Sequence, residues 1–281
     1  MNALLLQLPL FEGNEGVSPD LASYDFIVVN TSAGKDSQVM MDVVATAAAD
    51  AGVSDRLVAV HADLGRVEWP GTRELAAEHA AHYGIRFEVV QAGGGDLLDR
   101  LEARGMWPDA ARRWCTSDLK RGPIRTLFTR LAAEYRNAGG GAPCRILNCM
   151  GLRDAESPAR RRRAAFRFDE SASNGRRHID EWLPIHGLST AEVWERNTAA
   201  GTRHHPAYDL GMPRLSCSMC VLASRSALVR AAQLRPEIAA EYVRVEVRIG
   251  HRFRKDFSVA EIVAAAQAAP AGSAPVTEWV A

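Results

Sequence analysis

The segment FIVVNTSAGKDS, residues 26–37, gives the strongest indication of how this chain folds. An apolar run leads into a short polar loop, and residues 38–44 continue as a helix, which predicts a strand, a tight loop and a helix in that order. The first N–H groups of a helix have no partner within it, and the helix dipole favours negative charge there. The loop therefore predicts a site for a phosphate group.

The individual loop residues agree with phosphate binding. Gly34 lets the backbone approach an anion, Ser32 and Ser37 offer hydroxyls, and Lys35 adds positive charge. A Walker loop has a different glycine spacing; this loop resembles the Ser-Gly-Gly-Lys-Asp-Ser loop of the ATP pyrophosphatase (PP-loop) superfamily, whose members split a nucleotide between its α and β phosphates. Ala33 replaces a glycine there, at a cost of about 1 kcal/mol if the position needs a positive φ. The plain alternative is an ordinary polar turn.

Strand and helix patterns alternate through most of the chain, which predicts an α/β fold with a doubly wound parallel sheet and a C-terminal helical, cysteine-bearing extension. We expect a flexible leader (1–20), the main domain (21–222), the helical extension of the same domain (223–268) and a loose tail (269–281). No regular element is predicted within the arginine-rich residues 153–178. The predicted strands are 26–30, 57–62, 86–91 and 145–150, and the predicted helices are 38–51, 71–83, 96–104, 116–135, 189–200, 224–234, 236–248 and 258–268.

Composition narrows the class of protein. Of the 281 residues 47% are hydrophobic and 24% are charged, and the net charge is zero, so no global field draws the chain to nucleic acid or membrane. Five cysteines, two of them in a Cys-x-x-Cys pair, argue against a secreted disulfide scaffold and favour metal or redox chemistry. We expect a cytoplasmic protein with no membrane partner.

Two further segments follow predicted strands and resemble the phosphoadenylyl-sulfate (PAPS) reductase family within that superfamily. Residues 60–72 are similar to its Asp-Thr-Gly…Glu-x-Pro-x-Thr stretch, so Asp63 would orient the nucleotide; Asp63 or Asp36 could hold Mg²⁺. Residues 149–160 resemble its Gly-Leu-Arg-x-x-Glu-Ser-x-x-Arg segment. The resemblance implies that Arg153 and Arg160 bind phosphate or sulfate. It assigns to the nucleotide site Gly151, Glu156 and Ser157, with Lys35, Asp36, Arg153 and Arg160 as the catalytic groups.

The cysteines decide the subtype. Residues 204–220 match the family's Pro-x-Tyr-x-x-Gly and Cys-x-x-Cys order, and residues 114–120 match the segment where adenylyl-sulfate reductases carry a Cys-Cys pair. The resemblance implies a site on Cys115, Cys217 and Cys220 that holds a [4Fe–4S] cluster or zinc, or that keeps three free thiols. The fourth ligand is open between Cys149, our first expectation, Cys144, His204 and a ligand from outside the chain.

The expected function is cleavage or exchange at the α-phosphate of ATP or a related adenine nucleotide, coupled to sulfur transfer as in DNA phosphorothioation enzymes and tRNA thiolases. A sulfur donor protein, either a desulfurase or thioredoxin-like, and a nucleic acid on the Arg160–Arg177 cluster are the expected partners, although exposed arginines can simply be solvated. Gln7–Phe11 resembles a peptide that binds the replication sliding clamp, or serves only to pack the leader.

Two alternatives stay open. One is a reductase of adenylyl-sulfate or its 3′-phosphorylated form, although residues 221–281 lack the cysteine that such reductases use as nucleophile. The other is a non-catalytic nucleotide-binding module of a mobile-element or defence system.

Overall fold

A computed structural model describes residues 18–270, so the leader peptide Gln7–Phe11 and most of the predicted tail lie outside the described residues. A six-stranded sheet in the order β3-β2-β1-β4-β6-β5 forms the centre. Its strands are β1 (Phe26–Thr31), β2 (Leu57–Asp63), β3 (Arg86–Gln91), β4 (Cys144–Cys149), β5 (Phe166–Phe168) and β6 (Arg177–Trp182). All neighbours are parallel except β5, which runs antiparallel to β6.

Helices cover both faces of the sheet, which confirms the predicted doubly wound architecture. They are α1 (Lys35–Asp50), α2 (Thr72–His82), α3 (Leu97–Arg104), α4 (Trp114–Thr116), α5 (Gly122–Asn137), α6 (Pro158–Arg161), α7 (Thr190–Ala199), α8 (Arg225–Leu234), α9 (Pro236–Ile249) and α10 (Val259–Ala268). Alternate residues of β1 supply the two cores: Ile27 and Val29 pack under α1, and Val28 packs with α5 on the other face. The predicted helix 116–135 is interrupted by a π-helical turn, Ser117–Arg121, between α4 and α5.

Strand β5 lies within the arginine-rich residues 153–178, where no regular element was predicted, and β6, which was not predicted either, begins at the end of that region. β6 alternates poorly because it contains adjacent carboxylates, Asp180 and Glu181, which are both buried. The Tyr24 hydroxyl donates to Asp180 at 2.8 Å, and Glu181 accepts from Arg163 and Arg167 at 2.6–3.1 Å. Partners distant in the sequence make burial of these charges tolerable, since an unpaired buried charge is costly.

The last three helices form a second apolar centre beside the sheet. Tyr242 of α9 stacks on Trp107 with ring centroids 5.5 Å apart, and Phe253 meets both rings. The buried Glu246 carboxylate accepts the backbone N–H groups of Phe253 and Val259, which holds α10 against α9. Within residues 18–270 no helix is both long and apolar enough to cross a membrane.

Candidate functional site

The order of the strands places a crevice at the carboxyl ends of β1 and β4. β1 lies between β2 and β4, so the loops after β1 and β4 leave the same edge of the sheet on either side of a topological switch point, where open α/β sheets bind ligands. The two loops nearly touch: a Cβ on Gly151 would lie 3.0 Å from the Asp36 carbonyl oxygen. The close approach of the two loops therefore favours glycine, which has no Cβ, at position 151.

The loop after β1 is closed by its own serine. The Ser37 hydroxyl donates to the Gly34 carbonyl at 2.9 Å and accepts the Ser32 N–H at 3.2 Å, just before α1 begins at Lys35. Ala33 has a φ of 53°, so the position that carries glycine in the related loop does need the left-handed conformation. Strain of about 1 kcal/mol is stored there.

Lys35 and Arg153 meet on one carboxylate, that of Asp36. The Lys35 Nζ lies 2.8 Å from Oδ2 and the Arg153 Nε lies 2.6 Å from Oδ1, and both cations are almost fully buried. Burial lowers the pKa of Lys35, while the neighbouring Asp36 partly offsets it. For Asp36, burial opposes the charge, but Lys35 and Arg153 outweigh it and lower its pKa.

A second carboxylate, Glu156, gathers two more arginines. Its oxygens pair with Arg160 and Arg214 and accept the Arg153 N–H at 3.0 Å. Ser157 caps α6 by accepting the Arg160 N–H. Burial, with Arg214 and Arg113 nearby, lowers the pKa of Arg160 to about 10; burial also lowers the pKa of Arg214.

These contacts assemble a cluster with more positive than negative charge. It contains two carboxylates, Asp36 and Glu156, against four cations, Lys35, Arg153, Arg160 and Arg214. Because the cations are partly or almost fully buried and repel one another, an oxyanion in the crevice would stabilise them. Arg153 and Arg160 both contact Glu156, and their binding of phosphate or sulfate stays a prediction, whereas Arg214 was assigned no role from the sequence.

Tyr208 and Asn197 are further site residues that sequence reasoning missed. The Tyr208 hydroxyl accepts the Lys35 N–H at 2.9 Å, and the Asn197 amide donates to the Lys35 carbonyl at 3.1 Å. Tyr208 belongs to the loop that ends in Cys217 and Cys220, so this bond connects that loop to the start of α1. The only sequence signal was the position of Tyr208 in the motif of residues 204–220.

Asp63 is engaged by its own loop and by α2. Its Oδ1 accepts the Gly65 N–H at 2.8 Å and its Oδ2 lies 3.7 Å from Arg73. Asp36 is likewise taken up by two cations, so Mg²⁺ binding by either carboxylate stays a prediction. Next to Asp63, the buried His61 contacts the Thr31 carbonyl at 3.1 Å and the Glu68 carboxylate at 3.0 Å. Burial opposes the imidazolium, but Glu68 outweighs it and raises the pKa of His61.

Three of the four predicted metal ligands share one environment. Cys115, Cys217 and Cys220 are free thiols, half-buried, and pack against the apolar centre of the C-terminal helices. Burial raises the pKa of Cys115 and of Cys217, while the positive charge of Lys120 acts in the opposite direction on both.

Cys149 does not join them. Its side chain is fully buried in the core under α1, with Leu147 and Trp182, and burial raises its pKa without a contribution from the other cysteines. Cys149 is therefore not placed to be the fourth ligand. Because side chains alternate along β4, its side chain points into the core under α1 and away from the apolar centre that contacts the other three cysteines. Cys144, another candidate, lies on the opposite face of that strand.

The three thiols fit a sulfur-rich cofactor in their chemistry but are not a closed ligand set. Among residues 18–270 no three His, Cys, Asp or Glu side chains converge closely enough for a metal ion. A single zinc holds each sulfur at about 2.3 Å, whereas an Fe–S cluster distributes thiolates over several irons. Three buried donors without a partner, the indole N–H groups of Trp69 and Trp114 and the Tyr242 hydroxyl, belong to the same apolar centre as the cysteines.

The Arg160–Arg177 cluster is largely engaged within the chain. Arg163 and Arg167 pair with Glu181, and Arg177 donates to the carbonyls of Ala172 and Arg125. Arg161 and Arg162 are exposed. Fewer arginines of this cluster are therefore available to bind nucleic acid than the sequence suggested.

Comparison with known proteins found a related sequence and solved structures of low sequence identity. The chain is 26% identical over 189 residues to an uncharacterized 37.8 kDa protein from the gpa 5′ region of Escherichia phage 186, covering 66% of this chain and 53% of that protein. It thus spans about half the length of that relative. Among solved structures, the Candida auris PAPS reductase in its phosphate complex is 16% identical with a TM-score of 0.43, covering 70% of this chain and 83% of that one. A U34-tRNA thiolase from Methanococcus maripaludis with its [4Fe–4S] cluster is 13% identical with a TM-score of 0.44, covering 91% and 77%.

The sequence model of the phosphoadenosine phosphosulfate reductase domain matches residues 26–223, more than half of the chain. The match begins at the first residue of β1 and extends past Cys220, so it includes the phosphate loop, residues 149–160 and the pair Cys217 and Cys220. The chain therefore belongs to the phosphoadenosine phosphosulfate reductase family.

Proposed function

We propose that this chain binds ATP or a related adenine nucleotide in the crevice between β1 and β4 and catalyses a reaction at its α-phosphate. The observation that carries the proposal is the cluster of Lys35, Arg153, Arg160 and Arg214 around two carboxylates, in which Lys35 and Arg153 are almost fully buried and the other two are partly buried. Such cations stabilise charge that develops on phosphate oxygens in the transition state. The nucleotide phosphates would lie along residues 32–37.

In the reaction we propose, an oxygen of the acceptor attacks the α-phosphate and pyrophosphate leaves. A sulfur nucleophile then displaces AMP from the adenylated acceptor. Lys35 and Arg153 bind the α- and β-phosphates, while Arg160 and Arg214, held by Glu156, neutralise the leaving pyrophosphate. Cys115, Cys217 and Cys220 would hold the sulfur-bearing group, and an Fe–S cluster bound there would supply a thiophilic iron for the incoming sulfur.

Nucleic acid is the acceptor class that we propose, with Arg161 and Arg162 binding its phosphates. Removing either arginine should reduce the salt dependence of binding, measured as the slope of log K against log salt, by roughly 0.7–0.9 for each phosphate that is no longer neutralised. Binding of a tRNA or duplex DNA with unchanged salt dependence in the Arg161→Ala, Arg162→Ala double variant would remove this surface from the proposal.

Pyrophosphate release from ATP tests the reaction, against sulfite release from adenylyl-sulfate and PAPS with thioredoxin. Lys35→Ala should decrease pyrophosphate release by about 100-fold or more, in the range seen when a charge-stabilising donor is removed. Lys255→Ala, on an exposed loop, is the matched control and should leave the rate unchanged. Sulfite formation without pyrophosphate release would instead identify a reductase.

A further inference from the structure

The outer face of α5 borders a groove that is separate from the crevice. Two adjoining hollows, of about 480 and 510 Å³, lie between this helix and the turn that leads into β6, and they share Thr129, Ala133 and Arg177. Arg177 is the first residue of β6, which runs parallel to β4. The groove therefore lies at the amino end of a strand, whereas the crevice lies at the carboxyl ends of β1 and β4.

Every charged side chain that lines the groove, among the described residues, belongs to an arginine. These are Arg125, Arg130, Arg136, Arg176 and Arg177. The carboxylate of Asp169 lies 3.8 Å from Arg125, and the carboxylate of Glu88 lies 2.6 Å from Arg130. The other three arginines have no carboxylate partner within residues 18–270. Because the whole chain has no net charge, the groove is a local excess of positive charge.

Arg177 is fixed in the middle of the groove by neutral acceptors. Its Nη1 donates to the Thr129 hydroxyl and, at 3.0 Å, to the Arg125 carbonyl, and its Nε donates to the Ala172 carbonyl at 2.8 Å. These bonds orient the guanidinium without neutralising it. Burial and the nearby Arg125 lower the pKa of Arg177. An anion in the groove would therefore stabilise this arginine.

The length of the groove indicates which anion fits. Arg125 and Arg136 lie at opposite ends of the same face of α5, roughly 16 Å apart along the helix axis. A single phosphate group cannot reach both arginines. Each strand of a DNA duplex carries one phosphate roughly every 3.4 Å, so about five would lie along this distance. No aromatic side chain lines the hollows, although aromatic anchors are typical of protein interfaces.

We propose that the groove on α5 binds the phosphate backbone of nucleic acid, independently of its base sequence. Arg136 and Arg176 bind phosphates beside the fixed charge of Arg177, because both are exposed and neither guanidinium has a partner within residues 18–270. Contacts to phosphate oxygens position a nucleic acid but do not read its sequence. The groove would add a second contact surface to the acceptor class proposed above, and binding to it requires neither ATP nor the reaction in the crevice.

The test measures binding of the full chain to a fluorescently labelled DNA duplex of arbitrary sequence, without ATP, at several salt concentrations. In the Arg136→Ala, Arg176→Ala double variant the slope of log K against log salt should decrease by about 0.9 for each lost phosphate contact, about 1.8 in all. The Arg136→Lys, Arg176→Lys variant keeps both charges and should keep the wild-type slope. Both variants should melt at the wild-type temperature, since these side chains are exposed.

Arg225→Ala, Arg244→Ala is the matched control. Both arginines are exposed, on α8 and α9, and neither lines the groove or has a side-chain partner within residues 18–270. This variant loses the same charge as the Arg136→Ala, Arg176→Ala variant, so it separates the groove from an effect of net charge. Its salt dependence should be that of wild type.

A decrease of the slope by less than about 0.4, half the value for one phosphate, or an equal decrease in the control, overturns the groove. If only Arg161→Ala, Arg162→Ala then changes the slope, the groove fails and the acceptor surface proposed above stands. If wild type binds neither the duplex nor a tRNA, both surfaces are wrong. Displacement of the duplex by polyglutamate as readily as by unlabelled duplex would identify an acidic protein as the partner and overturn the assignment to nucleic acid.

Discussion

Replacing Gly151 by alanine tests whether the crevice depends on the close approach of its two loops. The added Cβ would lie 3.0 Å from the Asp36 carbonyl oxygen, 3.1 Å from its carbonyl carbon and 3.2 Å from the Ser37 nitrogen. All three are backbone atoms that cannot rotate away, so the loops must separate by a few tenths of an ångström. The start of α1 would move with them.

The magnitude follows from two opposing effects. Overpacking costs about 1–3 kcal/mol, and restricting the unfolded chain offsets about 0.4–1 kcal/mol of that cost. We expect a net loss of about 0.5–2 kcal/mol, which in a protein of this size lowers the melting temperature by roughly 1–8 °C. Affinity for a non-hydrolysable ATP analogue should decrease as well, because the N–H groups that we propose to bind phosphate would be displaced.

Calorimetry and nucleotide titration measure both effects, with Gly175→Ala as the matched control. Gly175 has no positive φ and open space around its Cα, so alanine there should be neutral or stabilising by up to about 1 kcal/mol. If Gly151→Ala behaves like Gly175→Ala in both measurements, neither stability nor nucleotide binding depends on the close approach of the two loops, and the proposed crevice is refuted.

Three further predictions concern the buried charges and the loop. Glu181→Ala removes the carboxylate that Arg163 and Arg167 share. Because both arginines are partly exposed, the free energy of unfolding measured in urea should fall by about 1–3 kcal/mol, less than for a fully buried pair. A decrease of less than about 0.5 kcal/mol would contradict the pairing. Burial lowers the pKa of His79, so its contribution to stability is complete above about pH 6.5 and is lost as the pH falls; His79→Gln should flatten the decline in unfolding free energy between pH 7 and 5.5, and an unchanged slope would refute this. Ser37→Ala removes the two bonds that close the phosphate loop and should weaken nucleotide binding about tenfold; affinity within twofold of wild type would show that the loop closes without them.

Local patterns predicted most of the sheet. β1, β2, β3 and β4 lie within one residue of their predicted ends. β1 and β2 are mostly apolar runs, and β3 and β4 each contain apolar residues between polar ones. β6 was not predicted because its buried carboxylates interrupt the apolar pattern. Their partners, Tyr24 and Arg163, lie outside β6, so the strand's own sequence does not show that these charges are paired. Tertiary pairing outweighed local propensity there.

The residues of the candidate site also fall into two groups, those that the sequence could predict and those that it could not. The phosphate loop and the arginine segment could be predicted because their residues are contiguous and each follows a strand. Arg214 and Tyr208 could not, since their contacts with Glu156 and Lys35 cross 58 and 173 residues of sequence. Cys149 was wrongly grouped with the other cysteines because it lies at the end of β4, near the crevice. Side chains alternate between the two faces of a strand, and this alternation directs Cys149 into the core under α1.

The family, the α/β fold and the phosphate loop could be predicted from the sequence, because they depend on short-range patterns of hydrophobicity, glycine and charge. Which charges meet could be seen only in the folded chain, which joins four cations on two carboxylates. The difference arises from burial. A charge or hydroxyl acquires its role when the surrounding fold removes water from it, and no local pattern encodes which distant groups will do so.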